Sequence, residues 1–254
     1  MLLIVAPSKT QKPIQNDAPF TEPLFSRECA HLNRYLGKLS LEDLCRLMKM
    51  SEKLGQLTAG RIKSFQFPFT RENSTQALFT FQGDSYDALR PAEYSTEQLQ
   101  HGQDHLCILS GLYGILRPLD LMQPYRLEMA TKLETDSGKN LYDFWGNSLT
   151  NAINDICGKK GYDTLINLAS AEYSKSIRPK ELHPAFLTIT FKEKKGDGYK
   201  TIPIHSKRAR GMIIDYMITE CFSEASQLKT FTGAGYRFNE ELTTDTEWIF
   251  TRES

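Results

Sequence analysis

Three segments of the chain carry residue types that could bind an anion or transfer a proton. They are 6–10 (APSKT), 109–129 (LSGLYGILRPLDLMQPYRLEM) and 167–175 (NLASAEYSK). In each one an apolar stretch leads into Ser, Gly or Pro and then into charged residues. In open α/β sheets, loops at the carboxyl ends of strands converge on a common cleft. The cations that would then surround one concave surface are Lys9, Arg117, Arg126, Lys175 and Arg178.

The segment 109–129 is too polar for a core strand and too rich in Gly and Pro for a single helix. Glycine and proline constrain its backbone, and long ordered loops of this kind are usually functional. Asp120 and Glu128 are candidate acid–base groups, and Lys9 or Lys175 is a candidate nucleophile or anion clamp. A structural interpretation also stands, in which the segment is a rigid crossover whose arginines pair with its own acids.

Two further basic clusters lie later in the chain, at Arg178-Pro179-Lys180 and at 206–211 (SKRARG). The second cluster falls at a predicted helix N-terminus, where backbone N–H groups favour an anion. Cationic side chains there oppose the helix dipole unless a ligand compensates for them. The alternative is that these residues form an ordinary solvated surface.

The charge balance limits the classes of partner. The 254 residues contain 31 Lys and Arg and 31 Asp and Glu, so the formal net charge is zero. A dedicated nucleic-acid-binding domain normally has an excess of positive charge. Any anionic partner must therefore be bound by local segregation of charge.

The cysteines and histidines predict neither a disulfide framework nor a metal site. The 5 cysteines are irregularly spaced without a CxxC pair, which predicts buried thiols in a reduced, cytosolic protein. His101 and His105 share a helical face but lack the glutamate of an HExxH motif, and Cys107 is expected to be a buried apolar residue rather than a nucleophile. We predict no metal and no cofactor. The chain also lacks an apolar run long enough for a transmembrane helix.

Periodicity predicts strands and helices in irregular alternation, which favours an α+β or mixed α/β fold. We expect one compact domain, 1–254, with a mixed sheet, flanking helices and a cleft lined by loops. The predicted strands are 2–6, 77–81, 105–109, 163–168, 186–191, 199–204 and 246–251. The predicted helices are 24–37, 41–54, 59–65, 95–105, 139–157 and 206–222.

Several motifs together resemble the YaaA family of bacterial proteins. They are SGLYGILRPLDLMQPYRLEM, NLAS followed by EY, the N-terminal PSKT, FQGDSY at 81–86 and KRARG at 207–211. The resemblance covers essentially the whole chain. It implies a function in resistance to peroxide stress through lowered free iron. It also implies a fold particular to the family, with a positively charged cleft, a helix-hairpin-helix element and DNA binding.

Two segments could supply that helix-hairpin-helix element. The first is 41–65, with its hairpin at 54–62 and with Lys53, Arg61 and Lys63 as its cations. The second is 109–114 (LSGLYG), which matches the first glycine of the usual pattern but displaces the second. By spacing alone, an ordinary αα-hairpin is an equal alternative.

Three functions remain open from the sequence. The first is sequence-nonspecific binding of the DNA phosphate backbone by a protein for which a monomer is favoured. The second is an enzyme that acts on a small anionic or nucleotide-like substrate, with Tyr113 or Tyr125 available for stacking. The third, iron binding, has the least support. The residues predicted to contact DNA or another anion are Lys9, Arg61, Lys63, Arg117, Arg126, Lys175, Arg178, Lys180, Lys207, Arg208 and Arg210.

Overall fold

A computed structural model describes residues 1–253, in which short strands and helices alternate irregularly. The strands are β1 (Leu2–Val5), β2 (Thr10–Gln11), β3 (Thr75–Gln76), β4 (Phe81–Gln82), β5 (Leu106–Ser110), β6 (Gly114–Leu116), β7 (Leu121–Met122), β8 (Thr164–Asn167), β9 (Ala185–Lys195), β10 (Gly198–Lys200), β11 (Arg237–Phe238) and β12 (Glu247–Arg252). The helices are α1 (Ser26–Leu36), α2 (Leu41–Met48), α3 (Glu52–Ser64), α4 (Thr96–His105), α5 (Leu141–Trp145), α6 (Ser148–Lys160), α7 (Ala171–Ser174) and α8 (Pro203–Thr219). Short 3₁₀ turns cover Ala77–Phe79, Pro179–Glu181, Ala225–Thr230 and Gly233–Gly235.

The main sheet is mixed, as the sequence predicts. Its order is β11-β12-β9-β8-β1-β5-β6, with β10 paired to β9. The five inner strands from β12 to β5 are parallel, whereas β6, β10 and β11 add antiparallel pairs. Strands β1, β5 and β8 are neighbours, so the loops that follow them leave the same edge of the sheet. The mixed α/β fold is therefore confirmed.

The apolar run Leu2–Val5 explains why β1 lies at the centre. A parallel strand covered on both faces reads as continuous hydrophobic residues instead of alternating ones. All four residues of β1 are buried, and they pair with β5 on one side and β8 on the other. One hydrophobic core includes residues from Met1 to Phe250, which is consistent with a single domain.

Serine side chains cap the starts of two helices. Ser40 caps α2, since its Oγ accepts a hydrogen bond from the backbone N–H of Asp43 at 3.1 Å. Ser95 and Gln98 form a reciprocal capping box at the start of α4. No helix within residues 1–253 combines the length and the apolar character that crossing a membrane requires.

Three predicted elements are wrong. The buried apolar stretch 77–81 forms a 3₁₀ turn and only the start of β4, instead of a strand. The predicted helix 139–157 is broken into α5 and α6 at Gly146, whose positive φ of 48° ends α5. The strand predicted at 199–204 stops early, because Pro203 occupies the first turn of α8.

The predicted helix-hairpin-helix boundaries are also wrong. The hairpin between α2 and α3 lies at 49–51, where Lys49 adopts a left-handed φ of 51°, and 54–62 is helical. Gly55 does not end a helix. It lies inside α3, where an added Cβ would be 2.2 Å from Cys45 Sγ of α2, so the glycine permits close helix packing. The second candidate, 109–114, is the tight turn of the β5–β6 hairpin.

Candidate anion-binding cleft

The three charged loops meet at the carboxyl edge of the sheet, in a recess that we call the cleft. Two of them leave the parallel strands β1 and β8 directly, and the third reaches the same place through residues that follow β7. The residues that line the cleft are Pro7, Ser8, Lys9, Gln11, Tyr125, Arg126, Leu127, Glu128, Glu172 and Tyr173.

Glu128 is the centre of the cleft's charge network. Its Oε1 lies 2.8 Å from Lys9 Nζ and 3.1 Å from Arg126 Nη2. The Glu128 side chain is 29 % exposed and that of Arg126 is 18 % exposed, so the pair faces solvent on one side only. Two cations thus share one carboxylate, and Glu172 adds a second carboxylate to the same lining, so the charges of the cleft balance.

Arg126 has unused hydrogen-bonding capacity. Its Nε is buried and has no hydrogen-bond partner among residues 1–253. Buried polar groups in native proteins nearly always have a partner. An anionic oxygen in the cleft is one partner that such a donor could take.

Buried hydrogen bonds hold the loop that carries Arg126 and Glu128. The backbone N–H of Tyr125 donates to Gln11 Oε1 at 2.7 Å, and Ser110 Oγ donates to Tyr125 Oη at 2.7 Å. Burial raises the pKa of Tyr125, so its hydroxyl stays protonated. These bonds tie the ends of β2 and β5 to the cleft and fix its shape before any ligand arrives.

The loop after β8 forms the opposite wall. Glu172 Oε1 accepts a hydrogen bond from the backbone N–H of Ala130 at 3.0 Å. Its carbonyl accepts one from Tyr142 Oη at 2.9 Å, and Lys175 Nζ lies 4.9 Å from the centroid of the Tyr142 ring. Lys175 is therefore close to the cleft wall but does not line the cleft.

A groove continues from the cleft toward the α2–α3 hairpin. Its first part is lined by residues of the hairpin tip and of the cleft loops, namely Leu47, Met48, Lys49, Arg126, Glu128, Ala130, Thr131 and Glu172. Its next part reaches Lys132. Lys49 and Lys132 have no carboxylate partner within the part of the chain that is described. The groove joins the helical hairpin to the cleft.

Arg61 lies close enough to Arg126 for their charges to repel. Burial, together with the positive charge of Arg126, lowers the pKa of Arg61. Lys63, by contrast, lines a different groove between α1 and α3, beside Arg34 and Lys38. Of the three cations predicted on the helical hairpin, Arg61 lies near Arg126, Lys63 lines the other groove and Lys53 is exposed in the first turn of α3.

The basic start of α8 approaches the cleft through the loop 81–86. An added Cβ on Gly83 would be 3.3 Å from Ser8 Oγ, and one on Gly211 would be 2.6 Å from the carbonyl oxygen of Ser85. Arg208 Nε lies 3.4 Å from Asp84 Oδ1, whereas Lys207 is exposed. The loop 81–86 therefore separates these cations from Lys9.

Arg210 is the least solvated cation of that helix. Its Nε is buried without a partner among residues 1–253, as is Ser206 Oγ one turn earlier. Burial lowers the pKa of Arg210, because the charged form loses solvation. The residue as a whole is half-buried.

Arg117 and Asp120 pair with each other instead of facing the cleft. Arg117 Nη2 lies 2.9 Å from Asp120 Oδ1, and Thr21 Oγ1 donates to the same oxygen at 2.6 Å. Asp120 is fully buried, and desolvation raises its pKa although the hydrogen bonds from Arg117 oppose that shift. Arg117 thus pairs with an acid of its own segment, as in the interpretation of 109–129 as a rigid crossover. The pair is not part of the cleft.

Arg178 and Lys180 also lie outside the residues that line the cleft and groove. Arg178 Nη1 is 3.5 Å from Glu181 Oε1, and its backbone N–H donates to Thr150 Oγ1 at 3.0 Å. Lys180 is exposed on a 3₁₀ turn. The predicted cations are therefore spread over several surfaces, and Lys9 and Arg126 form the group that the cleft brings together.

His105 and Cys107 are buried in structural positions, and His101 is half-buried beside them. The rings of His101 and His105 stack at 4.1 Å, and His105 Nδ1 lies 2.8 Å from the carbonyl oxygen of Met1. Burial lowers the pKa of His105 to about 4 and raises that of Cys107 to about 12. Across residues 1–253, no three His, Cys, Asp or Glu side chains are grouped as metal ligands.

Some cleft and groove residues were missed from the sequence. Gln11 lies in an irregular stretch, and Lys49 occupies a left-handed turn that few residues other than glycine adopt. Neither position has a motif around it. Glu172 belongs to the NLASAEY motif. Its position as an acidic residue just after a predicted strand could have indicated that it lines the cleft.

The size of the cleft limits what it can hold. Its volume is about 60 Å³, room for a few water molecules or one phosphate-sized group. A larger ligand must extend along the groove, which adds about 170 Å³ next to Arg126. The geometry suits one anionic group in the cleft with the rest of the ligand outside it.

Comparison with known proteins gives full-length matches. A family model described as "Peroxide stress protein YaaA" matches residues 1–242. A UPF0246 protein of Acaryochloris marina is 46% identical over 254 residues, which cover 99% of this chain and 100% of that protein. A UPF0246 protein of Aliivibrio fischeri is 44% identical over 256 residues, which cover 100% of this chain and 98% of that protein. A UPF0246 protein of Neisseria gonorrhoeae is 41% identical over 254 residues, which cover 99% of this chain and 98% of that protein.

Proposed function

This chain belongs to the YaaA family of peroxide stress proteins, and from that premise we propose that it binds DNA through the cleft and groove without reading the base sequence. Lys9 and Arg126 would contact phosphate oxygens in the cleft. The tip of the α2–α3 hairpin, with Lys49, would contact the next part of the same backbone. Contacts of this kind position a protein on DNA without carrying sequence information.

The observation that carries the proposal is the position of Lys49 and Arg126 on one groove. Lys49 comes from a helical hairpin and Arg126 from the loop after β7, so distant parts of the chain supply cations to one surface. The unpartnered Nε of Arg126 adds a donor that a phosphate oxygen would satisfy. Arg61, Lys175 and Arg208 lie around this surface and would add to its positive potential.

The proposal extends to the cellular setting that the family implies. We propose that the protein acts in the cytoplasm as a monomer and that free iron is lowered when it is present. Whether iron binds directly is measured by elemental analysis of the purified protein. One iron per chain would mean direct binding, and iron far below that ratio would mean an indirect effect.

A fluorescence anisotropy titration tests the DNA proposal. A labelled duplex is titrated with the wild-type protein and with Lys49→Gln/Arg126→Gln. Each lost phosphate contact is expected to weaken binding about fivefold to tenfold, so the double variant should bind about 25-fold to 100-fold more weakly. The matched control is Lys195→Gln at the exposed β9–β10 turn, which should bind like the wild type.

Equal weakening in Lys49→Gln/Arg126→Gln and in the control would contradict the cleft and groove as the binding surface. Duplexes of the same length and unrelated sequence should give the same affinity. A strong preference for one sequence would contradict backbone recognition.

A second candidate function is an enzyme with a small anionic or nucleotide-like substrate. The specific observation in its favour is Glu128, a carboxylate held between two cations in a recess of about 60 Å³. A carboxylate placed this way could accept a proton from a substrate whose anionic group contacts Arg126. The close charge balance of the cleft fits a small molecule as well as it fits a phosphate backbone.

Glu128→Gln separates the two functions. Removing this negative charge should tighten DNA binding, because the cleft becomes more positive. It should abolish turnover if Glu128 is a proton acceptor. A library of nucleotides and sugar phosphates, assayed for consumption by wild type and variant, measures the second outcome.

A further inference from the structure

A second pocket lies at the carboxyl ends of β9 and β12, beside the first turn of α8. Its volume is about 660 Å³, within the range of small-molecule sites. None of the residues that line the cleft lines this pocket. The ionisable side chains in its wall are Glu193, His205, Arg237, Arg252 and Glu253.

Glu193 is a buried carboxylate at the back of the pocket. It is 4 % exposed, and its Oε1 accepts hydrogen bonds from Arg252 Nη2 at 2.8 Å and from Tyr236 Oη at 3.0 Å. Burial alone would raise the pKa of Glu193, but hydrogen bonds from His205, Tyr236 and Arg252 outweigh it and lower the pKa. The carboxylate therefore stays ionised.

The same carboxylate fixes the tautomer of His205. Nδ1 of His205 lies 2.5 Å from Glu193 Oε1. Because the carboxylate is a pure acceptor, Nδ1 must carry the proton, and the nearby Arg252 Nη2 donates to Glu193 and not to the ring. In the neutral form of the ring the lone pair is therefore on Nε2. The side chain is 37 % exposed, and its Nε2 has no hydrogen-bond partner among residues 1–253.

Arg252 and Arg237 provide positive charge on two sides of the pocket. Arg252 is held rigidly, since Nη1 donates to the carbonyl of Ala234 at 3.1 Å and the guanidinium lies 4.8 Å from the centroid of the Tyr236 ring. Arg237 pairs with Thr251 across the β11–β12 ladder, is exposed and has no ion pair within the described chain. It is free to bind an anion that enters the pocket.

We propose that this pocket is a second ligand site, for a small acid that also carries an O–H group. Arg237 would bind the anionic oxygens, and His205 Nε2 would accept a hydrogen bond from the O–H. Hydrogen phosphate, phosphate monoesters and hydroxycarboxylic acids share this chemistry. The uncapped N-terminus of α8, which begins beside His205, would add to the positive potential. The site is independent of DNA binding in the cleft.

The test is NMR of histidine-labelled full-length protein. The His205 ring ¹⁵N resonances are followed while inorganic phosphate or malate is added, each as a separate titration. Either anion should shift the Nε2 resonance saturably, and the tighter of the two identifies the ligand class. Arg237→Gln should weaken that binding about tenfold, because it removes the counter-charge and, being exposed, leaves the fold intact.

Two controls separate binding from a purely structural role. Lys195→Gln carries the same loss of charge outside the pocket and should bind as the wild type does. Lys9→Gln in the cleft should also leave the His205 titration unchanged, so failure here is distinguishable from failure of the DNA proposal. The inference is overturned if neither anion shifts the Nε2 resonance, or if Arg237→Gln titrates like the wild type.

Discussion

Lys9 Nζ lies 2.8 Å from Glu128 Oε1, and this contact joins the loop after β1 to the loop that follows β7. Arg126 contacts the same carboxylate oxygen at 3.1 Å. One acid therefore sets the charge and the spacing of two cations that come from distant parts of the chain. The cleft is a shared ion-pair site whose anion-binding strength depends on Glu128.

Glu128→Gln is predicted to change binding more than stability. The Lys9 side chain is 62 % exposed, and ion pairs of this kind contribute about 0–1 kcal/mol to folding. Urea unfolding should therefore shift by less than about 1 kcal/mol. Affinity for duplex DNA should rise at least about twofold, because a negative charge is removed from the cleft. A loss of affinity in a fully folded variant would contradict this.

Asp120→Asn is predicted to change stability more than DNA binding. The carboxylate is fully buried and paired with Arg117, and removing one partner of a buried ion pair costs about 3–5 kcal/mol. The midpoint of urea unfolding should fall accordingly, whereas DNA affinity of the folded variant should not change. Asp197→Asn at the exposed β9–β10 turn is the matched control and should match the wild type in both assays. If Asp120→Asn keeps full stability, the pair is not structural.

Gly55→Ala tests the close packing of α2 on α3. The added Cβ would be 2.2 Å from Cys45 Sγ and 3.0 Å from Leu41 Cδ1, so we expect a loss of about 1–3 kcal/mol in unfolding free energy. Gly60→Ala lies in the same helix with nothing within 4 Å of its Cβ, and it should stabilise the protein by about 0.5–1 kcal/mol.

A second substitution makes the Gly55 result specific. Cys45→Ala removes the sulfur that the new Cβ would contact, so the double variant should lose less stability than the sum of the two single variants. Strict additivity would show that the cost of Gly55→Ala has another origin.

The pH dependence of stability should include a contribution from His105. Burial lowers its pKa in the folded protein to about 4, compared with 6.5 for the unfolded chain. Between these values the unfolded state binds a proton that the folded state does not. Stability is therefore predicted to fall as the pH drops from 6.5 toward 4, by at most about 3 kcal/mol from this group.

The measurement is urea unfolding of the wild type and of His105→Gln between pH 7 and pH 4. The variant should show a shallower loss of stability over this range, because it lacks the titrating imidazole. Parallel pH curves for the two proteins would contradict the assignment to His105.

The sequence predicts the positions of strand ends better than the direction of side chains. The apolar runs that became β1, β5 and β8 predict which loops share an edge, so Lys9 and Glu128 could be identified in advance. The arginines of the segment 109–129 could not be separated in this way. Arg117 and Arg126 have similar flanking residues, but the first turns inward to a buried aspartate and the second faces the cleft.

Glycine has two structural roles in this chain, and the sequence does not distinguish them. Gly146 ends a helix, as a glycine with positive φ does, whereas Gly55 lies inside α3 because only a missing side chain allows α2 to approach. Because the predicted helix 41–54 ends just before Gly55, the hairpin was predicted at 54–62, whereas the observed hairpin lies at 49–51. The pairing of Glu193 with His205, 12 residues apart, was also missed, because the predicted strand 186–191 ends before Glu193 and the predicted helix 206–222 begins after His205.

The salt dependence of DNA binding tests the central claim most directly. The apparent affinity of the wild type for a short duplex is measured by anisotropy between 50 and 200 mM salt and compared with that of Lys9→Gln/Arg126→Gln. We predict a steep linear fall of log affinity with log salt for the wild type, and a slope smaller by about 2 for the double variant, since two phosphate contacts are lost. Affinity that does not depend on salt, or an unchanged slope in the double variant, would contradict phosphate binding in the cleft.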